Sequence, residues 1–312
     1  MSARAIKSLL KAGWYRAFCL LQRAGINVLP EHFYSGVPNI HNLARRGDWR
    51  GPRTMYGIAC RDVGAQLQLL DEWIAPFHEY LASRSVHEAA IVGGGGDGGY
   101  GEIEAEVLFA FVARCKPRRI VQIGCGVSTA TALMAADKAG YRPEIICVEP
   151  YPSAYLREAE KAGAIRLIAR PAQQVDFQTL ADLGDGDLLF VDSTHAVKVG
   201  SEVNYIIHEV LPRLRNGTWV HFHDIYFPYD YTRDILDGDL FFAQESSLLY
   251  AFLTGNPRFR VEASLSMVHY GAPDGLKRLI PRYQPASQTD GLRASPVGHF
   301  PSAIWLRVVP LS

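Results

Sequence analysis

The stretch "RRIVQIGCGVSTATALMAADKAGYRPEIICVEP", residues 118–150, decides the fold. An apolar run ends at Ile123, a glycine-bracketed turn follows, an alanine-rich helical segment comes next, and a second apolar run ends at Glu149. Strand, tight turn, helix and strand in that order predict a βαβ unit, whose strands pair in parallel and are covered on both faces. The pattern repeats downstream in "AIRLIAR", "DLLFVDS" and "TWVHFHD", with the helical segment "GSEVNYIIHEVLPRL" between the last two. A mostly parallel sheet with helices on both faces, a Rossmann-like α/β fold, is the expected architecture.

In such sheets ligands bind beyond the carboxyl ends of the strands. That rule puts Gly124 to Gly126, Glu149, Asp192 to His195 and His221 to Asp224 along one edge. The glycines allow close backbone approach, and a carboxylate closing the second strand is placed to accept both hydroxyls of a ribose. NAD and S-adenosylmethionine both use this geometry. The third glycine of a dinucleotide fingerprint is replaced by Thr129.

The run from "VQIGCGVSTA" through "CVEPYP" to "GDLLFVDSTHAVKVGSEVNYIIHEVLPRLRNGTWVHFHDIYFPYDY" resembles a class I S-adenosylmethionine-dependent methyltransferase. The likeness is to a bacterial family with DSSH-x-x-K-x-GSDVN and VHxHDIFxP motifs. "NVLPEHFYSGVPN" and "ESSLLYAFL" resemble that family's flanks, so coverage runs from about Gly25 to Phe259. The resemblance implies the methyltransferase fold, with Gly124, Gly126, Ser128, Glu149 and Gln122 around S-adenosyl-L-methionine. Gln122 stands where many methyltransferases carry an acid. Its amide can still bond the cofactor's methionine end.

The ends of the fourth and fifth strands are similar to metal-dependent O-methyltransferases of the catechol and macrocin types. By position, Asp192, His223 and Asp224 match their metal ligands, and His195 takes the place of the catechol-type lysine base. Oxygen ligands suit Mg²⁺ or Mn²⁺, and imidazole admits Fe²⁺ or Zn²⁺. Asp192 and His195 are therefore the expected catalytic pair. His221 is expected to be structural, and His208 core or surface. Lys198 and Asn204 orient their loop or touch substrate. Tyr226, Phe227, Tyr229 and Tyr231 wall a pocket or pack on helices.

Composition narrows the partners. Lys plus Arg and Asp plus Glu are 32 each, which argues against nucleic acid as a partner. No apolar run approaches the roughly 20 residues of a transmembrane helix. Five scattered cysteines without a CxxC pattern suit reduced thiols in a cytoplasm. The expected partner is a small-molecule or glycan acceptor, with a homo-oligomer left open.

Residues 1–90 read as an N-terminal helical extension or substrate cap, and 91–312 as the methyltransferase domain. The extension holds a candidate helix from Val63 to Ser83 and an irregular stretch from Gly36 to Arg53. "MSARAIKSLLKAGWYRAFCLLQRAG" is a basic amphipathic segment without the h-region of a signal peptide; it lies on a membrane surface or packs on protein. "VGGGGDGGYG", residues 92–101, lacks a P-loop ending and reads as a hinge or lid.

The expected function is transfer of a methyl group from S-adenosylmethionine to a hydroxyl of a sugar or specialised metabolite. The competing readings are an NAD-dependent oxidoreductase and a non-catalytic cofactor-binding protein in glycan assembly.

Overall fold

A computed structural model describes residues 3–94, 99–230, 241–284 and 301–311. It divides into two compact units, Met1–Gly47 and Asp48–Ser312. The first carries a long helix, Ala3–Arg23, and a short one, Ile40–Arg45, whose first turn is capped by the Asn39 side chain on the Asn42 amide.

The second unit is built on seven strands: β1 (Arg119–Ile123), β2 (Glu144–Val148), β3 (Arg166–Ile168), β4 (Leu188–Val191), β5 (Trp219–Phe222), β6 (Phe259–Ser264) and β7 (Ile304–Val308). Their order in the sheet is β3-β2-β1-β4-β5-β7-β6. The first five are parallel, and β7 pairs antiparallel with both β5 and β6. This is the expected Rossmann-like methyltransferase fold, with an antiparallel edge that the sequence reading did not include.

The continuous apolar runs follow from burial on both faces. Ile120, Cys147, Phe190 and Trp305 point into one core layer with the helices Val63–Ile74, Glu102–Cys115 and Val127–Lys138. Val121, Ile146, Val191 and Phe222 point into the other, with Val203, Ile206, Leu249 and Leu253 from the helices opposite. Period-two alternation thus sends successive residues of one strand to two separate cores.

One boundary differs from the sequence reading. The helix expected over Val63–Ser83 stops at Ile74, passes through a 3-10 turn at Ala75–Phe77 and resumes at His78–Ser83. Pro76 lacks the amide that a continuous helix needs. The first compact unit ends at Gly47. Val63–Ile74 packs on Glu102–Cys115 and β6, and Cys60 bridges to Val261, which ties this segment to the sheet. Of the glycine-rich run at 92–101, residues 95–98 lie outside the described residues.

Candidate active site

At the carboxyl end of β1 the chain turns through Gly124, whose φ is 83°; a Cβ there would stand 1.6 Å from the Asp192 carbonyl oxygen. Only glycine permits β1 and β4 to approach this closely at their ends. The amides of Gly124 and Asp192 extend the ladder past the strands, reaching Val148 O at 3.1 Å and Ile123 O at 2.8 Å. After β2, the Glu149 carboxylate is oriented by backbone donors, Tyr151 N–H at 2.9 Å and Cys125 N–H at 3.4 Å.

These ends enclose a cleft of about 240 Å³ lined by Gly124, Gly126, Ser128, Glu149, Tyr100 and Asp192, among others. Four of the five residues expected around a cofactor therefore share one cleft. Gln122 does not line it. Its side chain is fully buried beneath the helix Val127–Lys138, and its Oε1 accepts from Thr129 Oγ1 at 2.8 Å.

Asp192 joins this cleft to the second group. Its Oδ1 lies 3.2 Å from His223 Nδ1 and 3.4 Å from His195 Nε2. Asp224 Oδ2 lies 3.7 Å from His195 Nε2 and 3.8 Å from His223 Nδ1. The four residues named at the strand ends thus converge. Asp192, His195 and His223 each offer a ligand atom, all within 4.8 Å of one another. His195 and Asp224 both hold left-handed backbone, with φ of 55° and 54°. Neither is glycine, and such strain persists where the surroundings fix it.

Those surroundings are polar and specific. Glu202 accepts from Thr194 N at 3.0 Å and from Thr194 Oγ1 at 2.6 Å, pinning the loop after β4. Ser302 Oγ lies 2.9 Å from Asp224 Oδ1, and its amide donates to Glu104 Oε1 at 2.6 Å. Glu245, buried at the start of the helix Glu245–Leu253, places Oε2 2.8 Å from His195 Nδ1. The His195 carbonyl accepts the Gln244 and Glu245 amides at 3.1 and 3.2 Å. Glu245 was missed as a site residue, although "ESSLLYAFL" carries it.

Electrostatics sort the ionisable groups. Burial works against charge on Asp192 and Asp224, yet the neighbouring histidines hold both carboxyls below their usual range. Burial likewise works against charge on His223, but Asp224 and Asp192 raise it to about 9. His195 is raised well above its ordinary value, burial being outweighed by its bonds to Asp192 and Glu245. Burial pushes the Glu245 carboxyl up. In the protein alone these carboxylates thus favour the protonated form of both imidazoles.

His221 behaves differently. It stacks on Phe190, its Nε2 lies 3.3 Å from Tyr100 Oη, and burial depresses it to about 3. It is a neutral core histidine, as its place facing the core requires, and His208 is on the surface. Asn204 Nδ2 donates to Lys198 O at 2.9 Å, so these two residues close a turn. Phe227 packs on Tyr250 and Tyr229 on Tyr270. Tyr231 lies outside the described residues.

A family described as a methyltransferase domain matches residues 121–225, a span that begins in β1 and ends just past Asp224. An uncharacterized protein of Archaeoglobus fulgidus is 31% identical over 204 residues, covering 57% of this chain and 83% of that protein; the chain belongs to its family. Among solved structures, an O-methyltransferase from Bacillus cereus in complex with SAH is 14% identical, with 77% of this chain and 99% of that chain covered and a TM-score of 0.44. An SAH-bound methyltransferase of Podospora anserina is 19% identical, with 76% and 93% covered and a TM-score of 0.38. Likenesses of that degree say nothing about chemistry.

Proposed function

We propose that this methyltransferase domain transfers a methyl group from S-adenosylmethionine to a hydroxyl of a sugar or specialised metabolite, with assistance from a divalent metal. The observation that carries the reading is the double role of Asp192, which lines the glycine-turn cleft and touches both His195 and His223. Donor site and acid–base group therefore meet at one side chain. A binding protein without catalysis has no use for two strained backbones, three buried ionisable side chains and two half-buried carboxylates at that junction.

The residues present fit the donor. Glu149, held by two amides at the end of β2, is set to accept from ribose hydroxyls, and Gly124, Gly126 and Ser128 line the wall beside it. Bound there, S-adenosylmethionine would supply an electrophilic methyl group on a sulfonium. Gln122 supports the cleft from beneath, through Thr129.

The residues also fit a metal. Asp192 Oδ1 and Asp224 Oδ2 both face His223 Nδ1, at 3.2 and 3.8 Å, so the three side chains would offer a mixed carboxylate–imidazole donor set. A divalent ion such as Mg²⁺, Mn²⁺ or Fe²⁺ held by these three would polarise a substrate hydroxyl. His195 then removes the hydroxyl proton, and Glu245 fixes its ring and stabilises the resulting imidazolium through Nδ1. The upward shift of His195 works against its role as a base, which needs the neutral ring. Three neighbouring carboxylates favour the protonated ring, and positive charge placed among them opposes it.

The test is a mass-spectrometric screen of candidate sugars and hydroxylated metabolites with S-adenosylmethionine, read as methyl gain, with and without EDTA and with His195→Ala. Methyl gain that EDTA abolishes, a divalent ion restores and His195→Ala lowers by roughly 10² to 10⁴ is the expected outcome. Full activity in EDTA would remove the metal, and full activity of His195→Ala would remove the base.

A further inference from the structure

The helix Ala3–Arg23 has no acidic residue in its 21 positions, whereas it carries Arg4, Lys7, Lys11, Arg16 and Arg23. At about 100° per residue, Leu9, Leu20, Gly13, Ala17, Leu10, Leu21 and Trp14 fall on one arc of roughly 140°. Lys7 and Lys11 lie just beyond the Trp14 edge of that arc, and Arg16 and Arg23 just beyond the Leu9 edge. Cations thus border the apolar face on both sides.

Within the unit Met1–Gly47, most of that apolar face is left exposed, Leu21 alone on the arc being partly buried. Leu9 is 62% exposed, Leu10 69%, Trp14 46% and Leu20 64%. A helix that packs against protein buries this stripe, and single exposed apolar residues need no explanation, but four on one arc do. Among the described residues no helix is long and apolar enough to cross a membrane. A helix with one apolar arc, basic borders and an aromatic at the arc's edge is suited to lie in the plane of an interface, with lysine and arginine stems reaching outward to headgroups.

We propose that Ala3–Arg23 docks this protein on an anionic lipid surface. Charge complementarity selects this occupant over a second copy of the chain, because pairing two such helices would bring together cations without a carboxylate to answer them. Each basic side chain near an anionic surface contributes about a fivefold gain in partitioning, and the apolar arc adds to it by burial in the acyl boundary.

The experiment is co-sedimentation of the full chain with vesicles of phosphatidylcholine alone and of phosphatidylcholine with phosphatidylglycerol, at low and high salt, alongside light scattering without lipid. The proposal expects binding to the mixed vesicles, weakened by salt, and weak or no binding to phosphatidylcholine. A triple variant, Lys7→Glu, Lys11→Glu and Arg16→Glu, should lose roughly a hundredfold in partitioning. A Leu10→Ser, Trp14→Ser variant should lose at least about tenfold. All five positions are exposed, so both variants should keep the circular dichroism spectrum of the parent protein. Binding to neither vesicle, equal binding to both, or a concentration-dependent doubling of mass that these variants abolish without vesicle binding would each overturn the proposal.

Discussion

Metal binding at Asp192, His223 and Asp224 should be linked to proton release, and the size of the linkage follows from His223. The carboxylates of Asp224 and Asp192 raise this imidazole to about 9, so at neutral pH a proton occupies the side chain that the metal needs. Ligation requires the neutral ring. Each pH unit below about 9 therefore weakens the apparent affinity about tenfold, or 1.36 kcal/mol, for every proton displaced. Between pH 6 and pH 8, displacement of the His223 proton alone predicts a gain of about a hundredfold. Loss of the His195 proton in the same event would steepen the dependence further. Titration calorimetry with Mn²⁺ in two buffers of different ionisation enthalpy counts the protons directly. His223→Asn should bind more weakly at pH 8, with a shallower pH dependence. Affinity that is independent of pH in the parent protein would refute the assignment of His223 as a ligand.

Glu245→Gln keeps a side chain beside His195 but removes its charge; turnover should fall by roughly 10 to 100-fold with S-adenosylhomocysteine affinity unchanged, as expected of a group that orients and stabilises a base. The alkaline requirement for activity should also move to lower pH, since Glu245 helps raise His195. Gly124→Ala should destabilise the protein by about 2–5 kcal/mol in urea melts, because the added methyl would overlap the Asp192 carbonyl and the left-handed turn would be strained. His269, which burial depresses to about 4, binds its proton more readily in the unfolded chain than in the fold. Its contribution is present above its ordinary value of 6.5 and is lost as pH falls through about 4, up to about 3 kcal/mol in all. Urea melts across that range should show His269→Gln with a flatter acid limb.

The central βαβ pattern was legible because each strand is buried on both faces, so apolar runs such as "DLLFV" stand out without alternation. The same pattern locates the strand ends, which is why Asp192, His195, His223 and Asp224 can be placed together from the sequence. β6 and β7 were harder to see. "FRVEAS" is short and carries two charged residues, one of which, Glu262, is buried in ion pairs with Arg61 and Arg260. β7 pairs antiparallel between β5 and β6, a placement that no local period encodes. Glu245 escaped for a similar reason. Its partner His195 lies 50 residues upstream, and an acid at the start of a helix ordinarily reads as a response to the helix dipole.

The most direct test of the central claim is a calorimetric titration of the parent protein and of Glu149→Ala with S-adenosylhomocysteine and with NAD⁺. The account predicts that the parent binds S-adenosylhomocysteine and not NAD⁺. It also predicts that Glu149→Ala, folded, loses at least about tenfold in affinity, since charge-assisted bonds to two ribose hydroxyls contribute about 1.5–3 kcal/mol each. Binding of NAD⁺ in place of S-adenosylhomocysteine, or undiminished S-adenosylhomocysteine affinity in Glu149→Ala, would contradict it.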